Sequence, residues 1–293
     1  MPDPNEMLNQ HEEISLNDPI LVAAFRGWND AGDAASYAAT HLARVWSSRK
    51  VASIDPEEFY DFQAVRPQVE LHDGITRVIR WPENDFSAAK LPGLPHDVLL
   101  LVGTEPNVRW KTFSGVIVEM ARRHDVQLVI TLGALLADVP HSRPTPITGT
   151  AADQELIERL GLQRSRYEGP TGIVGVLHES FARAGIASAS LWAAVPHYLA
   201  VSPNPKAALA LVDKAVGLIG APAEVDDLQR ASLAYEERVS EMVATDEDVQ
   251  AYVQLLEARA DERAEESPIS AEELPSGEAL AAELEKFLRE RDD

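Results

Sequence analysis

The sequence predicts an α/β protein in which a mostly parallel sheet lies between two helical layers, a three-layer α/β/α sandwich. Short apolar runs typical of buried strands alternate with longer segments of helical periodicity. Helices that connect consecutive apolar strands imply parallel pairing and cover both faces of the sheet. The buried strands are predicted at 20–25, 76–81, 97–103, 126–133 and 186–195. The helices of this domain are predicted at 31–47, 110–124, 151–160, 173–184 and 206–219.

The loop after the first strand has the clearest local pattern. Gly27 permits a backbone conformation that a side chain would oppose, and Asn29 or Asp30 then caps an alanine-rich helix. Trp28 lies between them, and a large aromatic side chain is costly to leave in water without a contact. Two interpretations stay open: the loop only makes the turn, or it contacts a ligand or a partner.

The composition excludes several classes of partner and of chemistry. The formal net charge of -22 over 293 residues argues against nucleic acid or an anionic membrane as a partner. With no cysteine, the chain has neither a disulfide nor a thiolate nucleophile. The first 18 residues are polar and resemble neither a signal peptide nor a membrane span, so we expect a cytoplasmic protein.

Changes in composition predict four parts: an N-terminal arm (1–18), the α/β/α domain (19–221), a helical hairpin (222–266) and an acidic flexible tail (267–293). The hairpin is expected to pack on its own α/β body or on a neighbouring subunit. Its two apolar stripes consist of Leu228, Tyr235, Val239 and Met242, followed by Val249, Val253 and Leu256.

The tail has its own amphipathic pattern. Four apolar residues would share one face of a short terminal helix: Leu280, Leu284, Phe287 and Leu288. Such a helix, carried on an acidic flexible segment, either docks to a partner or frays without one.

Familiar catalytic motifs are missing from the sequence. The eight histidines show no spacing of two, three or four residues, so no local metal-binding pair is expected. The sequence has no Gly-x-Ser-x-Gly elbow, no Walker loop and no Gly-x-Gly-x-x-Gly motif. We therefore expect no metal and no cofactor.

Polar and glycine-containing loops follow the predicted strands and would meet at one rim, because the carboxyl ends of parallel strands point the same way. Glu105 and His197 are the candidates for acid–base chemistry, since each lies just past a strand end. The alternative is that Glu105 caps the helix at Trp110 and that His197 is a turn residue. The candidate ligand-binding residues are Gly27, Trp28, Asn29, Asp30, Gly103, Thr104, Gly133 and Gly172.

Four motifs carry a resemblance to a known family: Gly27-Trp28-Asn29-Asp30-Ala31-Gly32, Gly103-Thr104-Glu105-Pro106 followed by Trp110, Thr131-Leu132-Gly133-Ala134, and Gly169-Pro170-Thr171-Gly172. With them the chain resembles the proteasome-assembly-chaperone-like family, in particular its uncharacterised actinobacterial branch, over about 19–198 and on to about 265. The resemblance implies a fold similar to purine nucleoside phosphorylases and peptidyl hydrolases. It also implies a protein-binding role, because eukaryotic and archaeal relatives assemble or bind the proteasome core.

The resemblance therefore favours a non-catalytic oligomeric scaffold or chaperone-like binder that associates with itself, with a trimer as the implied size. A proteasome-related partner follows only by family analogy. The archaeal docking tripeptide, hydrophobic-Tyr-x, has no match in the final Arg291-Asp292-Asp293, which makes docking through this terminus unexpected. The alternative is a phosphorylase-like or hydrolase-like enzyme that acts on a small anionic or amide substrate at the rim.

Overall fold

The computed structural model describes residues 4–198 and 201–265, and the predicted acidic tail lies outside the described residues. The strands are β1 (Leu8–Gln10), β2 (Ile20–Arg26), β3 (Arg49–Ile54), β4 (Gln68–His72), β5 (Thr76–Arg80), β6 (Asn84–Ala89), β7 (Val98–Thr104), β8 (Leu128–Ala137), β9 (Ile147–Ala151), β10 (Gln163–Arg164) and β11 (Ser188–Pro196). The helices are α1 (Ala34–Val45), α2 (Trp110–Arg123), α3 (Gln154–Leu160), α4 (Ile173–Ala184), α5 (Pro205–Ile219), α6 (Asp226–Val243) and α7 (Glu247–Glu265).

A nine-stranded sheet in the order β1-β3-β6-β7-β2-β8-β11-β9-β10 forms the middle layer. Its centre, β7-β2-β8-β11, is parallel throughout, and Val22 of β2 lies opposite Leu100 of β7 and Ile130 of β8. The predicted α/β/α sandwich with a mostly parallel sheet is confirmed. Outside the centre, β6, β3 and β1 on one side and β9 on the other run antiparallel to their inner neighbours.

The two faces of the sheet bury separate cores. Side chains along β2 point alternately to the two faces of the sheet. Val22 and Ala24 therefore pack on the side of α1 and α5, whereas Leu21 and Phe25 pack on the side of α2 and α4. On the second face, the Phe25 ring packs edge-on against Phe113, with 6.0 Å between ring centroids. Because both faces of the central strands are covered, these strands read in the sequence as continuous apolar runs.

The prediction of a buried strand at 76–81 is wrong. Residues 76–80 form β5, which pairs only with β4 in a separate two-stranded hairpin, and every residue of both strands is exposed. The strand that joins the sheet here is β6, whose sequence Asn-Asp-Phe-Ser-Ala-Ala lacks a long aliphatic run. The predicted helix at 151–160 is also shorter, since Ala151 ends β9 and the helix begins at Gln154.

Helices α6 and α7 form the predicted helical pair, which packs on its own α/β body. Tyr235, Val239 and Val253 are buried between the helices and the end of the sheet, whereas Met242 is exposed. Leu228 belongs to the core beside α1 and α5. None of the helices in residues 4–198 and 201–265 combines the length and apolar content that a membrane crossing requires.

His178 fastens α4 to the sheet beneath it. Its Nε2 lies 2.9 Å from the Thr131 hydroxyl of β8, and its Nδ1 lies 2.8 Å from the Ser188 hydroxyl of β11. Burial lowers the pKa of His178 to about 4. The neutral imidazole therefore belongs to the folded state.

Acid should weaken the fold through His178. Because the unfolded chain has an ordinary histidine pKa of about 6.5, the unfolded state gains a proton first as the pH falls below that value. The stabilisation is complete above pH 6.5 and is lost as the pH falls toward 4. Urea unfolding at pH 7.5 and 5.0 measures the free energy of unfolding of both proteins. Between these pH values, the free energy of unfolding of His178→Gln should fall by about 2 kcal/mol less than that of the wild type. The exposed control His72→Gln should keep the wild-type difference, and an unchanged difference for His178→Gln would contradict the assignment.

Candidate functional site

The loops after β2, β7, β8 and β11 lie at the same end of the sheet, as parallel pairing requires. Arg26, the last residue of β2, lies opposite Thr104 of β7, and Pro196 of β11 lies opposite Ala137 of β8. The strand ends thus place the segments that carry Trp28, Thr104 and His197 at one edge. The contacts within that edge form two separate groups.

The first group is centred on the carboxylate of Glu105 and is called the Glu105 junction: Trp28, Asn29, Glu105 and Ile173. One carboxylate oxygen, Oε1, accepts hydrogen bonds from Asn29 Nδ2 at 3.1 Å and from the backbone N of Ile173 at 2.7 Å. The other oxygen, Oε2, accepts from the backbone N of Trp28 at 3.2 Å. One side chain therefore joins the loop after β2, the loop after β7 and the start of α4.

Two glycines make room for the junction. Gly27 has φ +134°, a conformation that disfavours side chains, and an added Cβ would lie 3.0 Å from Glu105 Cβ. Gly172 precedes α4, and an added Cβ there would overlap the amide of Asn29. The close approach of Glu105 to Gly27 and of Asn29 to Gly172 thus accounts for glycine at both positions.

Glu105 serves as a cap supplied from another part of the chain. The residue before α4, Gly172, has no side chain that can accept from the first helical N–H groups, and Glu105 accepts from Ile173 instead. A carboxylate at a helix N-terminus is also favoured by the helix dipole. Glu105 therefore caps α4 and not the helix that begins at Trp110, which the capping alternative had named.

Asp33 directly precedes α1, but the side chain that caps the helix belongs to Asp30, one of the two predicted capping residues. Its Oδ1 accepts from the backbone N of Ala35 at 2.7 Å and of Ser36 at 3.2 Å. Burial raises the pKa of the Asp30 carboxyl, and its Oδ2 has no hydrogen-bond partner within the described residues. Asn29 is buried as well, and its backbone carbonyl accepts a hydrogen bond from the backbone N of Ala134 at 2.8 Å.

A buried polar network supports Thr104 and was missed by the sequence analysis. Asn84 Oδ1 accepts from Thr104 N at 3.2 Å, Asn84 Nδ2 donates to the Tyr60 hydroxyl, and that hydroxyl donates to Thr104 O. Burial raises the pKa of the Tyr60 hydroxyl, so the group stays protonated. An added Cβ at Gly103 would overlap Asn84, which accounts for that glycine. The only signal of this network in the sequence is Asn84, a polar residue at the start of the weakly apolar stretch that forms β6.

Gly133 lies inside β8 and not in a loop. It pairs with Trp192 of β11, and an added Cβ would lie 2.5 Å from the indole ring. The indole therefore occupies the space beside Gly133.

The second group is called the His197 cluster: Asp138, His197, Tyr198 and Tyr252. His197 Nδ1 lies 3.1 Å from Asp138 Oδ1, which also accepts from the Tyr252 hydroxyl at 3.1 Å. The imidazole packs edge-on against Tyr198 and Tyr252, with ring centroids 6.1 and 5.7 Å away. His197 thus contacts the helical hairpin through α7.

The two groups are separated along β8. Asp30 bridges to Ala134, whereas His197 lies beside Ala137, three residues further on. At a strand rise of about 3.3 Å per residue, that separation is roughly 10 Å. Glu105 and His197 share no hydrogen-bond partner among the described residues.

His141 continues the His197 cluster beneath α6. Its Nδ1 lies 2.7 Å from the Tyr198 hydroxyl, and its Nε2 lies 3.0 Å from the Ser240 hydroxyl. Burial and the nearby Lys206 ammonium lower the pKa of His141. A cavity of about 10 Å³ borders His141, which leaves room for no more than a water molecule. Across residues 4–198 and 201–265, no group of three His, Asp or Glu side chains is arranged to hold a metal ion.

Comparison with known proteins establishes the family. A model of the PAC2 family matches residues 24–243, so the chain belongs to the PAC2 family. The predicted resemblance to proteasome-assembly-chaperone-like proteins is thereby confirmed. No curated protein matches the chain.

Solved structures include two actinobacterial relatives. A PAC2 family protein from Streptomyces avermitilis is 44% identical, with a TM-score of 0.75, over 80% of this chain and 100% of that chain. A proteasome-assembly chaperone homologue from Mycobacterium tuberculosis is 43% identical, with a TM-score of 0.73, over 80% of this chain and 99% of that chain. The archaeal proteasome activator PbaB from Pyrococcus furiosus shares the fold, with a TM-score of 0.65, 20% identity and coverage of 80% and 97%.

Replacing Glu105 should loosen the junction. Glu105→Gln keeps the size of the side chain but turns its new NH₂ group toward a backbone donor, either Trp28 N or Ile173 N. We expect the free energy of unfolding to fall by roughly 1–3 kcal/mol and amide exchange to accelerate at residues 28 and 173. Denaturant unfolding and hydrogen exchange measure the two effects.

A matched control separates this effect from loss of charge. Glu262→Gln removes one negative charge from an exposed position on α7 and should leave both measurements unchanged. Equal behaviour of the two variants would mean that Glu105 does not hold the junction together.

Proposed function

We propose that the protein is a non-catalytic, chaperone-like protein binder in proteasome assembly, and that it presents the edge around the Glu105 junction to its partner. The observation that carries the proposal is a contrast within one loop. Asn29 is buried and hydrogen-bonded inside the junction, whereas the neighbouring Trp28 side chain is 64% exposed.

The polar groups of the junction are committed to internal bonds. Glu105 accepts three N–H groups, and Asp30 accepts two at the start of α1. The oxygens of Glu105 that accept these internal N–H groups have fewer lone pairs left to contact a substrate. This arrangement supports a structural role for Glu105 at the junction.

Among the polar side chains that surround the junction, three large apolar side chains are also exposed. Each of its three segments carries one: Trp28 after β2, Val108 in the loop that Glu105 begins, and Tyr167 shortly before Gly172. These three residues are called the apolar rim. Tyrosine and tryptophan are enriched where binding free energy concentrates at protein interfaces. A rigid loop that displays them loses little conformational entropy on binding, which favours a protein partner.

The family supports the choice of partner. The Mycobacterium tuberculosis relative, 43% identical, is a proteasome-assembly chaperone homologue, and we extend that role to this chain. A proteasome subunit or assembly intermediate is therefore the proposed partner. Self-association, with a trimer as the size implied by the resemblance, and a cytoplasmic location are parts of the same proposal.

Truncating Trp28 should weaken capture of the partner. A tagged full-length chain should recover proteasome subunits from native extract of its source, and Trp28→Ala should reduce that recovery tenfold or more, equivalent to about 1.4 kcal/mol. Stability should change by less than about 0.5 kcal/mol, because the side chain is exposed. Quantitative mass spectrometry of the captured proteins measures the loss.

The control is Leu233→Ala, which removes an equally exposed apolar side chain from α6. It should leave recovery at the wild-type level. If no proteasome subunit is captured by any variant, the proposed partner is wrong. If Trp28→Ala captures as much as Leu233→Ala, the proposed surface is wrong.

A further inference from the structure

The hairpin of β4 and β5 exposes one apolar face. Cross-strand pairing places Val69 opposite Ile79 and Leu71 opposite Arg77, so these four side chains share a face. The three aliphatic residues, Val69, Leu71 and Ile79, are called the hairpin stripe, and each is more than half exposed. An isolated two-stranded hairpin is marginally stable in water, and neighbouring exposed apolar side chains mark an interaction site.

The hairpin is also a basic region of a strongly acidic chain. Residues 66–81 contain three arginines and two acidic residues, whereas the chain as a whole carries a net charge of -22. Arg80 pairs with Glu70 on the opposite face, while Arg77 lies on the face of the hairpin stripe. A ligand that suits this face is apolar with acidic flanks.

We propose that the hairpin stripe is covered by the C-terminal segment of the same chain, residues 266–293. This segment carries nine acidic and three basic residues, a net charge of -6. Its apolar residues recur with helical spacing at Leu280, Leu284, Phe287 and Leu288, and acidic residues flank them. Charge and apolar pattern are therefore both complementary to the hairpin.

The geometry of the described residues allows this contact. Near the end of α7, Asp261 accepts two hydrogen bonds from Arg143 in the loop after β8, so the described part of α7 ends on the side of the strand carboxyl ends. The hairpin precedes β6, whose first residue, Asn84, lies opposite Gly103 near the carboxyl end of β7. Three inter-strand spacings, about 15 Å, separate β6 from β8 in the sheet. Twenty-eight further residues span several times that distance when extended.

The test uses the full chain, which has no native cysteine and so accepts two introduced labels cleanly. Spin labels are placed at Thr76→Cys, on the face opposite the hairpin stripe, and at Ala282→Cys, away from the apolar positions of the segment. Electron–electron double resonance should show a short inter-label distance. The double substitution Val69→Ser and Ile79→Ser should abolish most of the population of molecules with the short distance. Val78→Ser, on the other face, should preserve that population.

Three outcomes decide the proposal. Leu284→Ser with Phe287→Ser must produce the same loss, and these substitutions leave the described body unaltered, so a folding defect cannot explain it. A short distance that appears only when two singly labelled chains are mixed would overturn the contact within one chain and assign it to a second copy. Absence of a short distance, or equal loss with Val78→Ser, would overturn the proposal altogether.

Discussion

The carboxylate of Glu105 is the constraint on which the edge of the sheet depends. Parallel pairing brings three segments that are far apart in the sequence to this edge, and Glu105 bonds them to one another by accepting from Trp28, Asn29 and Ile173. Burying part of a charge is costly unless donors compensate, and here the donors are N–H groups that would otherwise lack partners at a loop and a helix start. The same bonds thus stabilise the carboxylate and fix the loop that displays Trp28.

The same contacts give structural roles to residues whose types and positions suggest catalysis. Glu105 and Asp30 both lie where a doubly wound fold places its ligands, yet each carboxylate faces the start of a helix. His197 lies beside Ala137 of β8, three residues beyond the Ala134 that Asp30 contacts. There, its contacts with Asp138 and Tyr252 hold α7 against the sheet. Under the proposed function, this edge serves protein contact.

The sequence predicted the parts of the fold that depend on local pattern. The central strands were visible because burial on both faces demands continuous apolar runs, and a cap at Asn29 or Asp30 followed from their residue type, although the choice between them did not. Strand β6 was not predictable, because Phe86 is its single large apolar residue and the strand is held by its neighbours. The segment 76–81 misled the prediction, since its adjacent Val78 and Ile79 indicate a strand but not what covers that strand. The partner of Glu105 could not be predicted, because Ile173 lies 68 residues away and meets it only in the folded sheet.

A double-mutant cycle on partner affinity tests most directly whether Glu105 acts by holding Trp28 in place. Affinity for the captured proteasome subunit is measured for the wild type, Glu105→Gln, Trp28→Ala and the double variant. The account predicts that Glu105→Gln weakens binding, that Trp28→Ala weakens it more, and that adding Glu105→Gln to Trp28→Ala costs little further, a coupling of about 1 kcal/mol. Additive losses, or a Glu105→Gln variant that binds as well as the wild type, would contradict it.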